Sequence, residues 1–85
     1  MKFRLTSHLL DEAERRRIPR EILEKVLSDP GQKVEEKDGR KAYQSQLVLE
    51  GKSFLIRVIV DERESPPVGI TAYRTSKVQK YWRLQ

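Results

Sequence analysis

The chain has 85 residues, 18 of them Lys or Arg and 13 Asp or Glu, which gives a net charge of +5. This length allows a single domain over residues 1–85 with one small core. The absence of cysteine excludes disulfides and thiolate chemistry and suits a reducing compartment. The N-terminus lacks a signal-peptide core and the longest apolar run is too short to span a bilayer, so we expect a soluble, cytoplasmic protein without a membrane segment.

The excess of basic residues is concentrated at the C-terminal end of the chain. Residues 73–85 contain four basic residues, three aromatic residues and no acid. A localised basic segment favours an anionic partner, either nucleic acid or an acidic protein, and composition does not choose between them. The alternative is a solvated tail that keeps a small protein soluble.

The first half of the chain has the pattern of two helices. A strand-like lead over residues 2–5 precedes a helix that Thr6 or Ser7 caps and that runs to about Arg17. Acidic residues stand early in this helix and three arginines stand late, as the helix dipole favours. Pro19 begins a second helix with one apolar stripe, which ends at the sequence SDPG.

The second half of the chain has the alternating pattern of strands. The dipeptide Asp38-Gly39 predicts a two-residue hairpin turn, and Glu50-Gly51 predicts a second one. The strand after the second turn carries apolar residues on both faces, which is typical of a central strand, and its one charge is Arg57. A fourth strand follows as VGITAYR.

Two helices followed by a run of strands predict an α+β fold of two layers. We expect two N-terminal helices packed on a four-stranded antiparallel sheet, followed by a basic C-terminal segment. From Thr75 this segment can continue as a short helix, with Val78 and Trp82 packing inward. The side chains expected to face outward are Lys77, Lys80 and Tyr81.

Several short motifs occur together in an order that matches one family. They are His8, RIP at residues 17–19, DGRK at 38–41, YQ at 43–44, LIRVIVD at 55–61, YRTSK at 73–77 and KYW at 80–82. In these motifs the chain resembles domain-of-unknown-function family 4258, a small bacterial family similar to the RelE-like and BrnT-like toxins. Those toxins are small ribonucleases of toxin–antitoxin pairs. The resemblance implies a RelE-like fold, RNA as substrate, and a small acidic antitoxin-like protein as partner. The chain departs from the family pattern at Glu12, where an arginine often stands one turn after the histidine.

RNA cleavage by toxins of this class uses no metal ion. A base takes the 2′-hydroxyl proton, the oxygen attacks the neighbouring phosphate, and an acid protonates the leaving 5′-oxygen. One histidine and no cysteine leave no metal-ligand set, and no Gly-rich phosphate loop is present, so we expect neither metal nor cofactor. The side chains that the resemblance implies for catalysis are His8, Arg57, Tyr73, Thr75, Lys77 and Tyr81. The basic side chains expected to bind nucleic acid are Arg40, Lys41, Arg74, Lys80 and Arg83.

Several of these candidates also have a purely structural interpretation. His8 can be a partly exposed histidine at a helix start, and Thr75 can belong to a helix cap. Arg57 lies inside the most apolar strand, where an unpaired charge is costly. It can therefore pair with an acid across the sheet, either Glu35 or Glu50.

Three functions are compatible with this sequence. The first is a metal-independent ribonuclease of a toxin–antitoxin pair, in which positioned cations stabilise the transition state. The second is a non-catalytic module of the same fold that binds RNA or an acidic protein through its basic end. The third is an interaction subunit that is stable only as an oligomer. The same residue types serve all three, so the sequence leaves the choice and the oligomeric state open.

Overall fold

The computed structural model describes residues 2–84 of the protein, which form an α+β fold with a mixed sheet and short helices. The elements in chain order are β1 (Arg4–Leu5), α1 (Ser7–Arg15), α2 (Arg20–Ser28), β2 (Gln32–Glu35), a 3₁₀ turn (Lys37–Gly39), β3 (Lys41–Leu49), β4 (Lys52–Asp61), β5 (Val68–Thr75) and α3 (Val78–Tyr81). No helix within residues 2–84 is long and apolar enough to cross a membrane.

The sheet has five strands where the sequence predicts four antiparallel ones. Its order is β1-β5-β4-β3-β2, and β1 pairs with β5 in parallel through Arg4 opposite Val68 and Leu5 opposite Gly69. The remaining pairs are antiparallel, and β4 is the central strand, as predicted. The strand-like lead predicted over residues 2–5 is present as β1, but the prediction of four antiparallel strands was wrong, because it left β1 out of the sheet; its parallel partner β5 lies more than sixty residues away in the chain.

Helix α1 begins where the sequence predicts and ends two residues earlier. The Thr6 hydroxyl accepts a hydrogen bond from the Leu9 amide at 3.0 Å, as an N-cap does. At the other end Arg17 takes a left-handed φ of 56°. The Arg17 amide donates to the Glu14 carbonyl, and the Ile18 amide donates to the Ala13 carbonyl. This is a Schellman motif, which stops the helix and turns the chain sharply.

Both predicted hairpin turns are present, with positive φ at Asp38, Gly39, Glu50 and Gly51. The Glu50-Gly51 turn joins β3 and β4 directly, with Leu49 opposite Lys52. The first turn is longer than predicted, because the 3₁₀ turn lies between β2 and β3.

The two faces of the sheet differ in chemistry. Alternate residues of β4 (Ile56, Val58 and Val60) pack against buried residues of α1 and α2 and form the hydrophobic core. On the opposite face, four polar side chains lie directly across from one another on β2, β3, β4 and β5. We call this set the polar row: Gln32, Gln44, Arg57 and Tyr73.

The C-terminal segment, residues 76–84, lies over the polar-row face and contains the one-turn helix α3. Trp82 is half-buried beside Gly31, so close that a Cβ added at Gly31 would lie 2.9 Å from the Trp82 ring. Val78 is also half-buried, and Lys77 and Lys80 are exposed.

Candidate nucleic-acid interface

An open cleft of about 670 Å³ lies where the end of α1, the end of β5 and the C-terminal segment meet. Nine of the described residues 2–84 line it: six are cationic, two are tyrosines, and none is acidic. The lining residues are Arg15, Arg16, Arg17, Tyr73, Arg74, Thr75, Lys77, Lys80 and Tyr81. A concave surface with this composition attracts polyanions.

The first wall of the cleft is the arginine run at the end of α1. Strand β1 pairs only with the start of β5, and further along that edge Arg16 donates to the Ala72 carbonyl at 3.0 Å. Arg16 also pairs with Glu12 at 2.9 Å, and Arg15 pairs with the same carboxylate. Arg15, with Arg16 adding, holds the pKa of Glu12 below its usual value. The Glu12 carboxylate therefore orients the first wall.

The second wall is formed by the end of β5 and the start of the C-terminal segment. The Thr75 hydroxyl accepts a hydrogen bond from the Lys77 amide at 3.0 Å, a local turn that redirects the chain before α3. Arg74 lies over the Phe54 ring at 4.7 Å and pairs with Glu50 at 3.4 Å. No carboxylate lies within ion-pair distance of Lys77 or Lys80 in residues 2–84. The Lys80 ammonium lies 5.1 Å from the centre of the Tyr81 ring, and Lys77 is exposed.

Beneath the tyrosines lies Arg57, whose side chain is only 3% exposed. Each of its three nitrogens donates a hydrogen bond: Nε to Gln44 at 2.8 Å, Nη1 to the Tyr73 hydroxyl, and Nη2 to Glu36 at 2.8 Å. Its guanidinium also lies 4.3 Å from the centre of the Tyr81 ring. Arg57 therefore fixes both tyrosines from below.

The prediction that Arg57 pairs with Glu35 or Glu50 was wrong, because its acidic partner is Glu36. Glu35 lies opposite Lys41 in the register and points to the other face of the sheet. Glu50 lies at the far end of β3 and pairs with Arg74. Whether Glu35 or Glu36 faces Arg57 therefore depends on the register of β2 against β3.

The two tyrosines of the cleft have pKa values displaced in opposite directions. Their ring centres are 6.2 Å apart in an edge-on arrangement. Lys80 lowers the pKa of Tyr81 from its usual value, with Tyr73 and Arg57 acting in the same direction. Burial raises the pKa of Tyr73, and this outweighs the opposite effect of Arg57. Two groups of one chemical type are thus differentiated by their surroundings, as in many acid–base pairs.

The structure brings together six of the predicted site residues in the cleft and places Arg57 beneath them. The six are Tyr73, Arg74, Thr75, Lys77, Lys80 and Tyr81.

The other four predicted residues do not line this cleft. His8 is exposed on the first turn of α1. Lys41 pairs with Glu62 at 3.2 Å, and Arg40 lies in the connection between β2 and β3. The Arg83 side chain is exposed, and its backbone is bound by Gln32.

Sequence reasoning missed two sets of residues. Arg15, Arg16 and Arg17 form a wall of the cleft, whereas the sequence pattern assigned them only to the helix dipole. The consecutive arginines, placed where a helix ends, are the signal that could have found them. Gln32 and Gln44 of the polar row were also missed, because a glutamine in an alternating strand carries no signal of burial until the register is known.

No group of histidine and acidic residues within the described range 2–84 is arranged to hold a metal ion. The sequence profile of one family, described as a domain of unknown function (DUF4258), matches residues 5–74. The chain belongs to the DUF4258 family. Comparisons with the curated proteins and with the solved structures give no match.

The DUF4258 match covers part of the cleft and ends within β5. Arg15, Arg16, Arg17, Tyr73 and Arg74 lie inside the matched residues. The remaining lining residues, Thr75, Lys77, Lys80 and Tyr81, lie beyond it. In this chain Gln44 of the polar row, which lies inside the matched residues, donates a hydrogen bond to the carbonyl of Tyr81, which lies beyond them.

Proposed function

We propose that this DUF4258 domain is a toxin-like, metal-independent ribonuclease that binds single-stranded RNA in the cationic cleft. The observation that carries the proposal is the pair Tyr73 and Tyr81, whose ring centres lie 6.2 Å apart in a cleft lined by six cationic residues. RelE-like toxins, which the sequence motifs resemble, are small ribonucleases and support the same function.

Binding is supported by the charge and shape of the cleft. Cationic side chains on both walls can contact successive phosphates, which position an RNA strand without reading its sequence. The Tyr81 ring is half-buried, with Arg57 on one side, so its remaining surface can stack on one unpaired base. Stacking requires a splayed base, which favours single-stranded RNA over a duplex.

Cleavage would use the two tyrosines as base and acid. Tyr81, as its phenolate, takes the proton of the 2′-hydroxyl, and O2′ then attacks the adjacent phosphorus while the bond from phosphorus to O5′ breaks. Tyr73 donates its proton to the leaving O5′, so the products are a 2′,3′-cyclic phosphate and a 5′-hydroxyl. Lys77 is the exposed cation that we assign to the extra charge on the phosphate in the transition state.

This assignment gives Arg57 an indirect part in the reaction. Its nitrogens are already bound and its side chain is buried, so it positions the tyrosines rather than gripping phosphate. Thr75, whose hydroxyl is used in the turn to Lys77, shapes the second wall.

The test is cleavage of a labelled cellular RNA pool by purified protein in EDTA, with the ends of the products identified. We expect fragments with cyclic phosphate ends, lost in Tyr81→Phe and in Lys77→Ala, and kept in the control Lys25→Ala, which changes an exposed lysine on α2. Lys77→Ala is also expected to abolish growth inhibition in cells without lowering Tm. Intact RNA with folded protein, both alone and with translating ribosomes, would contradict cleavage.

A small acidic protein is the partner that we propose for the same cleft. An acidic chain presented to the six cations would compete with RNA for one surface. Such a partner should protect RNA from cleavage and lose affinity with rising salt. Simultaneous binding of RNA and partner would contradict a shared surface.

A non-catalytic RNA-binding module is the alternative, and one observation favours it. Histidine, the side chain that most readily exchanges protons near neutral pH, does not line the described cleft. This alternative predicts salt-dependent binding without products. For single strands the logarithm of affinity should fall with the logarithm of salt by about 0.7 for each phosphate contacted.

A further inference from the structure

The C-terminal segment forms one wall of the cleft, yet its own helix is too short to hold a shape by itself. Helix α3 spans only Val78–Tyr81, a single turn. Isolated turns of helix are unstable in water because nucleation is unfavourable. The position of Tyr81 must therefore come from contacts with the sheet beneath it.

Most of the hydrogen bonds that hold this segment on the sheet come from two glutamines of the polar row. Gln44 donates through Nε2 to the Tyr81 carbonyl at 3.1 Å. The Gln32 side chain accepts from the Arg83 amide at 3.1 Å and donates to the Arg83 carbonyl. Three consecutive residues, 81–83, are thus tied to β2 and β3, with Trp82 packed beside Gly31 between the two attachments.

Gln44 is the residue in which these contacts meet. It is fully buried, and its Nε2 donates both to the Tyr81 carbonyl and to Gln32 Oε1 at 2.8 Å. Its Oε1 accepts from Arg57 Nε at 2.8 Å. An amide has one acceptor oxygen and two N–H donors, so all of its polar groups are used in one orientation. A rotated amide would place its oxygen against the Tyr81 carbonyl and its N–H groups against Arg57.

We infer that Gln44 is a positioning residue that fixes Tyr81 over Arg57 and so holds the second wall of the cleft in place. The inference rests on the proposed function in one respect, because that function makes the second wall a binding surface. The contacts that Gln44 makes are properties of the folded protein and do not depend on that function. One buried amide binds both the guanidinium below Tyr81 and the backbone of Tyr81 itself, and it therefore sets the ring and the cation relative to each other.

The test compares Gln44→Met with Gln46→Met. Methionine is nearly the same size as glutamine but makes none of the three hydrogen bonds. Gln46 lies two residues along β3 on the same face, is exposed, and lines a surface pocket together with Trp82, so Gln46→Met is the control for a methionine placed near Trp82 that removes none of the three hydrogen bonds. The readouts are far-UV circular dichroism for folding, the emission of Trp82, which is the only tryptophan, and the pH titration of the Tyr81 ring by NMR.

In folded Gln44→Met we expect Trp82 emission to shift to longer wavelength and acrylamide quenching to increase. We also expect the titration of Tyr81 to move upward, because the ring is released from Tyr73 and Arg57. Affinity for a short single-stranded RNA should fall by about tenfold, equivalent to about 1.4 kcal/mol. A residue that only fills space would lower Tm and leave the emission and the titration of the folded protein unchanged, and that result would overturn the inference.

A second variant covers the case in which Gln44→Met does not fold. Gln32 lies on the edge strand β2. Gln32→Met removes both hydrogen bonds to the Arg83 backbone and the Oε1 oxygen that accepts a hydrogen bond from Gln44 Nε2. The same changes in emission and titration are expected at smaller size, and wild-type signals in folded Gln32→Met would overturn the inference. If the wild-type protein binds no RNA, the proposed function fails, and the response of Trp82 still decides the role of Gln44.

Discussion

Replacing Arg57 with methionine should destabilise the protein far more than replacing an exposed arginine. The side chain is 3% exposed and makes three hydrogen bonds, one of them to Glu36. Arg57→Met keeps much of the apolar stem but leaves the Gln44 oxygen and the Tyr73 hydroxyl without their donor. It also leaves the Glu36 carboxylate without its partner.

The size of the destabilisation depends on how well water can solvate the groups that lose their hydrogen-bond partner. Removing one partner of a fully buried ion pair costs about 3–5 kcal/mol. The Glu36 side chain is 29% exposed and can be rehydrated, so we expect a smaller loss of about 2–3 kcal/mol in the free energy of unfolding. A domain of this size has roughly 4–13 kcal/mol in total, at about 0.05–0.15 kcal/mol per residue. The corresponding fall in Tm is about 8–24 °C, at about 4–8 °C for each kcal/mol.

The assay is urea and thermal unfolding of Arg57→Met beside the control Arg20→Met. Arg20 pairs with Glu24 at 3.2 Å on the surface of α2, with both side chains about 60% exposed, and such pairs contribute about 0.3–0.5 kcal/mol. The double variant with Glu36→Gln should show a coupling energy of at least about 0.5 kcal/mol. A loss in Arg57→Met no larger than that of Arg20→Met would refute the argument that this charge is held by the buried network.

Two further predictions concern other parts of the fold. Arg63, by hydrogen bonds to the carboxylate, lowers the pKa of Asp61 to about 2. Because the pKa of Asp61 is lower in the folded protein than in the unfolded chain, this stabilisation is present above about pH 4 and is lost as the pH falls toward 2. Asp61→Asn should therefore lose less stability than the wild type across that range, as measured by urea unfolding at each pH. An equal loss in the variant and the wild type would contradict the prediction. Gly31→Ala would place a Cβ 2.9 Å from the Trp82 ring and 3.2 Å from the Gln44 carbonyl oxygen, and should cost about 1–3 kcal/mol and shift the fluorescence of Trp82. Unchanged emission would show that Trp82 adjusts without leaving its position.

The candidate site was predictable where neighbouring residues in the chain form it. The end of β5 and the residues after it bring Tyr73, Thr75 and Lys77 together by their spacing alone, and all three line the cleft. His8 was selected for its chemistry alone, and α1 presents it on an exposed turn that does not line the cleft. Chemical type without position was not enough to place it.

The local features of this protein follow from its sequence: the two helices, the Thr6 cap of α1, the turns with positive φ, the central strand and the basic end. These depend on interactions between residues a few positions apart, whose preferences the chain carries in its order. Three long-range contacts could be known only from the folded protein: β1 joins β5, Arg57 pairs with Glu36, and the arginines ending α1 face the C-terminal segment. Those contacts depend on strand register and on which element packs against which. The two-residue turn at Glu50-Gly51 fixes the register of β3 against β4 and so places Gln44 opposite Arg57. The register of β2 against β3 depends instead on the longer 3₁₀ turn, and it brings Glu36 rather than Glu35 to Arg57.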